Sequence, residues 1–96
     1  MKRREVVFSP EARRDLLQLY DWIEERAGGD VALRYVERLA SHCRTFEVSS
    51  QRGRRRDDIQ PGLRITGFER RVTIALVVEA DTVIILRLYY GGQDWD

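Results

Sequence analysis

His42 and Cys43 stand side by side, the one imidazole and the one thiol of the chain, and together they are the first place to look for nucleophilic chemistry. Both lie in a helical stretch, where adjacent positions point about 100° apart, so they cannot act as base and nucleophile in one pocket. Cys43 falls on the apolar stripe of that helix and reads as a core thiol, with His42 at the stripe's edge. One His and one Cys are too few for a zinc set, and the carboxylates lack clustered spacing, so neither a metal nor another cofactor is expected. The glycine pairs Gly28-Gly29 and Gly91-Gly92 do not sit between a strand and a following helix, which excludes a phosphate loop.

Arginine is the remaining chemistry-bearing type. Lys2 is the sole lysine among 17 basic residues. Guanidinium stays ionised and grips carboxylate or phosphate with a planar fork, which suits interfaces made of ion pairs; a high-GC codon preference explains the same bias. One group, Arg52, Arg54, Arg55 and Arg56, lies in a polar stretch that Asp57-Asp58 partly neutralises, and it reads as a solvated patch. A second group, Arg64, Arg70, Arg71 and Arg87, lies on apolar, β-branched runs. Strand alternation sets Val83, Ile85, Arg87 and Tyr89 on one face and Ile84, Leu86, Leu88 and Tyr90 on the other. With helices over the second set, the first becomes an open apolar face carrying Arg87, the kind of patch that marks a binding site. Arg87 then has two readings: it waits for a partner's carboxylate, or it pairs with an acid of its own chain.

These residues need elements to hold them. Glu5 to Phe8 reads as a short strand. Ser9 is a natural N-cap, Pro10 fits the first helical position and Glu11 favours the positive end of the helix dipole. Ala12, Leu16, Leu19, Tyr20 and Ile23 recur at helical spacing until Gly28-Gly29. Asp30 is expected to cap a second helix bearing Ala32, Tyr35, Val36, Leu39, Cys43 and Phe46, and the short connection predicts an antiparallel hairpin. Ser49 to Gln60 reads as loop. Leu63–Thr66, Arg70–Glu79 and Thr82–Tyr90 read as strands with turns near Gly67 and Asp81. Val72, Ile74, Leu76 and Val78 form the fully apolar face of the central strand, which the helices should cover. The fold class is therefore α+β: an N-terminal strand, then a helix hairpin on one face of a small antiparallel sheet.

A length of 96 residues predicts one domain spanning 1–96, with a core thin enough that a covering partner is unsurprising. Charged residues make up 34% and hydrophobic ones 43%, which describes a folded chain with an ionised surface; the net charge of +1 argues for no polyanion. A lone cysteine, a start without a signal peptide and no apolar run of membrane-spanning length predict a cytoplasmic protein without membrane contact.

The order of several short pieces resembles the ParE/RelE toxin family of type II toxin-antitoxin systems. They are Ser9-Pro10 with Ala12 and Leu16, then Ala32 and Tyr35, then Pro61-Gly62-Leu63-Arg64. Phe68, Arg71, Ile74, Asp81 and Val83 follow, and Ile85-Leu86-Arg87 and Gly91 to Asp94 complete the series. The resemblance implies the fold just described and a toxin that arrests growth. It also implies a hetero-oligomer with a cognate ParD-like antitoxin, whose other domain binds operator DNA so that the toxin meets DNA only indirectly. Within the family, RelE-like members cut messenger RNA on the ribosome with basic residues and often a tyrosine, whereas ParE-like members poison DNA gyrase. The tail here, Gly91-Gly92-Gln93-Asp94-Trp95-Asp96, has no basic residue and suits RNA cleavage poorly. The ParE-like branch is expected, with gyrase as target and no enzymatic activity. Two positions depart from that branch: a histidine commonly stands where Tyr90 is, and an aromatic pair where Ala75-Leu76 are. The alternatives are a RelE-type ribonuclease using Arg64, Arg70, Arg71 and Tyr90, and an inactive module that only binds antitoxin. Candidate partner-binding residues are Arg64, Arg70, Arg71, Val83, Ile85, Arg87, Tyr89 and Trp95, with no catalytic residue assigned.

Overall fold

The first helix forms where its capping signals lie. In a computed structural model that describes residues 3–91, α1 spans Pro10–Ala27, and the Ser9 hydroxyl accepts from the Ala12 N–H at 3.0 Å. Gly28, at φ +92°, ends α1 and begins α2, which spans Gly29–Arg44. Asp30 therefore lies inside the first turn of α2 rather than capping it, because the glycine already makes the sharp reversal that a cap would follow. A 3₁₀ turn, Thr45–Glu47, continues α2 and buries Phe46.

The strands are β1 (Glu5–Phe8), β2 (Arg54–Arg55), β3 (Leu63–Phe68), β4 (Val72–Val78) and β5 (Thr82–Tyr90). They form one sheet in the order β1-β5-β4-β3-β2. Three strands in sequence pair antiparallel as expected, while β1 lies parallel to β5, making the sheet mixed. The two-residue β2 arises inside the stretch expected to be loop, with Arg54 facing Ile65 and Arg55 facing Arg64. The β3–β4 reversal falls at Glu69-Arg70, φ +50° and +59°, and closes through the Arg71 N–H to the Phe68 carbonyl at 3.0 Å. Two consecutive positive-φ residues form the mirror-image hairpin turn whose twist matches the strands, so Gly67 remains within β3.

Packing of the hairpin on the sheet builds the core from α1, α2, the 3₁₀ turn and one sheet face. Ile74, Leu76, Leu39, Phe46 and Cys43 are fully enclosed, with Val6, Phe8 and Val78 packed at the margin. β4 thus turns the face that its alternation predicts toward the helices.

β5 does not follow uniform alternation. Its register with β4 runs Leu76↔Ile85 and then Ala75↔Arg87, leaving Leu86 as an extra residue in a β-bulge. Before the bulge Val83 and Ile85 face the core at 0% exposure; after it Leu88 does. This corrects the expected open face. Val83 and Ile85 are part of the core and have no surface to offer a partner, because the inserted residue shifts the alternation midway along the strand. The opposite face is partly covered: Leu63 and Ala75 are 2% and 0% exposed, whereas Ile65, Val77, Ile84 and Leu86 are half-buried, and Ile59 borders a cleft there together with Leu86 and Tyr89.

Candidate functional site

β1 pairs with β5 only as far as Phe8↔Ile85, after which Ser9 turns the chain into α1. Residues 86–90 of β5 therefore run on without a strand beside them on that side. Two side chains of the incoming segment bind this edge: the Ser9 hydroxyl donates to the Leu86 carbonyl at 2.8 Å, and Asp15 on α1 reaches Arg87 and Leu88. Exposed backbone at a strand edge is a template for another chain, and here part of it is taken up internally.

Between α1 and this edge lies a cleft of about 250 Å³, bordered by Gln18, Trp22, Arg87, Tyr89 and Tyr90 among others. Trp22 is 41% exposed, its ring centroid 4.7 Å from that of Tyr90, and the Arg26 guanidinium lies 3.9 Å over its face. A half-exposed tryptophan flanked by tyrosines and arginines is the composition that concentrates binding energy at protein interfaces. Trp22 was not among the candidates from sequence. It follows Asp21 on the mostly charged side of α1, and only the packing of Tyr90 beside it makes the pair.

Arg87 belongs to this cleft, and its guanidinium is engaged. Nε and Nη2 donate to the two Asp15 oxygens at 2.8 and 3.1 Å, and the Asp15 side chain is 9% exposed against 42% for Arg87. The bidentate bond raises the Arg87 pKa from its ordinary value. The internal ion pair is thus the reading of Arg87 that the geometry supports, with the guanidinium carbon lying 4.9 Å from the centroid of the Tyr89 ring.

The other arginine candidates separate. Arg71 Nη1 lies 3.4 Å from the Tyr90 hydroxyl, which places it at one end of the cleft. Arg70 is exposed in the β3–β4 turn. Arg64 sits near the other end of β3, donating to Gln51 Oε1 at 2.6 Å. Phe68 lies four residue steps along the strand from Arg64, roughly 13 Å, so Arg64 does not share a site with Arg70 and Arg71. Trp95 and the acidic tail lie outside the described residues.

Burial disposes of the thiol. Cys43 is fully enclosed, and desolvation pushes its pKa up to about 12, so no thiolate forms near neutrality. His42 packs edge-on to Phe46 and tilted against Phe68, with centroids at 5.5 and 5.1 Å, and burial, assisted by Arg52, lowers its pKa. Among the described residues no group of three or more His, Cys, Asp or Glu could hold a metal ion, and no helix is long and apolar enough to cross a membrane.

Comparisons with known proteins agree with this architecture. A family model described as the ParE toxin of the type II toxin-antitoxin system, parDE, matches residues 6–95. A chain of the chromosomal ParDE TA system from P. aeruginosa is similar in structure at TM-score 0.80 and 22% identity, covering 91% of this chain and 95% of that one. A chain of the toxin-antitoxin complex RelBE2 from Mycobacterium tuberculosis follows at TM-score 0.67 and 18% identity, covering 93% and 99%. A conserved hypothetical protein from Helicobacter pylori aligns at TM-score 0.55 and 15% identity, covering 94% and 97%. A search of curated proteins returns no match.

Proposed function

The chain belongs to the ParE toxin family of type II toxin-antitoxin systems, and on that premise we propose that it arrests growth by binding and poisoning DNA gyrase. It acts in the cytoplasm as a binding protein rather than an enzyme, and a cognate ParD-like antitoxin neutralises it by docking on its surface. The antitoxin reading draws support from the structural neighbours, two of which come from toxin-antitoxin systems.

The choice of gyrase over messenger RNA rests on one observation. Arg64, Arg70, Arg71 and Tyr90, the residues a RelE-type ribonuclease would have to converge, are divided between the two ends of β3. In-line RNA cleavage needs a base at the 2′-hydroxyl and cations on the phosphorane at the same moment, so residues held roughly 13 Å apart do not serve it.

The cleft between α1 and the part of β5 beyond Ile85 is the favoured docking surface for the antitoxin. A segment ordering as it binds would set apolar side chains against Trp22 and Tyr89 and carboxylates against Arg26 and Arg71.

Purified protein added to a gyrase supercoiling reaction provides the test. Loss of supercoiling with accumulation of cleaved DNA is expected, alongside undiminished full-length message in a cell-free translation reaction. Untouched supercoiling at micromolar excess, or message cut in the ribosome, would overturn the gyrase assignment.

A further inference from the structure

At the end of β3 remote from the Glu69-Arg70 turn, three guanidinium groups converge that the toxin reading leaves unused. Arg55 and Arg64 face each other directly across the antiparallel β2–β3 ladder. Arg4, from the segment leading into β1, borders the same cleft of about 350 Å³, together with Gln51 and Glu79. Like charges at facing strand positions repel, and the Asp57 carboxylate, whose pKa is lowered first by the Gly62 N–H and then by Arg55 and Arg64, offsets part of that repulsion from the Arg55 side.

What holds these groups leaves much of their charge available. Arg4 Nε donates to the Glu79 backbone carbonyl at 2.9 Å and Nη1 to the Ser50 hydroxyl at 3.0 Å, with Ser50 only 5% exposed. Arg64 Nη2 donates to the Gln51 side-chain oxygen at 2.6 Å. All three acceptors are neutral: they orient the planar forks without cancelling their charge. Arg55 instead faces the Asp57 carboxylate at 3.2 Å, and Asp57 is itself tied to the Gly62 N–H at 2.9 Å. Glu79 is among the residues bordering the cleft, and its acidic charge limits how much negative charge the cleft accepts, which favours one small oxyanion over a polyanion.

We infer that this cleft binds a phosphate group, either free phosphate or the phosphomonoester of a small molecule, bridged by Arg4 and Arg64 with Arg55 closing one side. Oriented guanidiniums grip such oxygens through paired charge-assisted hydrogen bonds. The site lies away from the α1–β5 cleft, so its ligand and an antitoxin could be held together.

The test is a titration of the purified full chain with inorganic phosphate at constant ionic strength set by sodium chloride, following the arginine Nε–H resonances by NMR. Saturable shifts confined to Arg4, Arg55 and Arg64 are expected in a roughly millimolar range, weakened about tenfold or more in Arg64→Gln. If Arg64→Gln does not fold, Arg55→Gln, whose parent side chain is 66% exposed, carries the same comparison. A parallel titration with a nucleoside 5′-monophosphate separates the sources. Tighter binding than phosphate assigns a phosphorylated small molecule, and equal binding assigns free phosphate. Shifts that follow ionic strength alone, spread over all surface arginines, or persist unchanged in a folded variant overturn the proposal. A gyrase result of either sign leaves this test unaffected.

Discussion

Asp15 and Arg87 form a two-pronged ion pair between α1 and β5, at 2.8 and 3.1 Å, and the same Asp15 carboxylate accepts the Leu88 backbone N–H at 2.9 Å. One side chain therefore both neutralises the arginine and satisfies a donor on the strand edge that β1 leaves uncovered. Replacing Asp15 strands two partners, whereas replacing Arg87 leaves the carboxylate its backbone bond.

Asp15→Ala is accordingly expected to lower stability by about 2–3 kcal/mol, and Arg87→Ala by about 1 kcal/mol, the latter discounted for the exposure of the guanidinium. Urea unfolding of the two variants and the double variant measures this. Equal losses would mean that the Leu88 bond contributes nothing.

Gly53 has φ +77°, and a Cβ there would lie 2.2 Å from the Ile65 carbonyl oxygen. Backbone cannot yield as a side-chain tip can, so Gly53→Ala must push β2 away from β3. A loss of about 2 kcal/mol or more is expected, with faster amide exchange at Arg56, whose N–H bonds the Leu63 carbonyl at 2.8 Å. Unchanged exchange there would show that β2 adapts.

The Tyr35 hydroxyl is buried and finds no hydrogen-bond partner among the described residues, and burial, ahead of the nearby Glu69 charge, raises its pKa. Its ring still packs edge-on to Phe68 at 5.8 Å. Tyr35→Phe keeps the ring and removes the stranded group, so stability should hold or rise by up to about 1 kcal/mol. A clear drop in the urea midpoint would reveal a partner for the hydroxyl.

His42 supplies a pH dependence. Its folded pKa is held below 6.5, first by burial and then by Arg52, so the unfolded chain takes up the proton more readily. The contribution is then complete above pH 6.5 and is lost as pH falls toward the folded value. The urea midpoint should decline as pH falls below about 6.5, and His42→Gln should flatten that slope. A parallel decline in the variant would assign the effect elsewhere.

Trp22→Ala tests the docking surface. Trp22 sits on a helix flank in contact with Tyr90, so its removal should cost little folding energy yet weaken antitoxin binding by about tenfold or more. Isothermal titration against the purified antitoxin decides; unchanged affinity in a folded variant would move the interface off this cleft.

Local rules determined most of the elements. Ser9-Pro10 starts α1 at the expected place because capping and the fixed proline φ act within one turn, and β5 occupies the expected Thr82–Tyr90 because β-branched spacing is a property of that segment alone. The helix-facing side of β4 was legible for the same reason, as was the core position of Cys43. The family was legible in the order of short pieces from Ser9 to Asp94.

Pairing between distant segments decided the rest. The Leu86 bulge exists only in the register of β5 against β4, and it moves Val83 and Ile85 into the core while leaving Arg87 outside it. Asp15 meets Arg87 across 72 positions of chain, and Arg55 meets Arg64 where Gly53 lets the strand that follows it lie close beside β3. Periodicity records which way a residue points along its own element, but an inserted residue resets that direction, and the charge a residue meets depends on which strand or helix lies next to it. The sequence by itself therefore determined the kind of molecule and its segments. The tertiary structure decided which arginines are already paired, which apolar residues are hidden, and which surfaces remain for a partner.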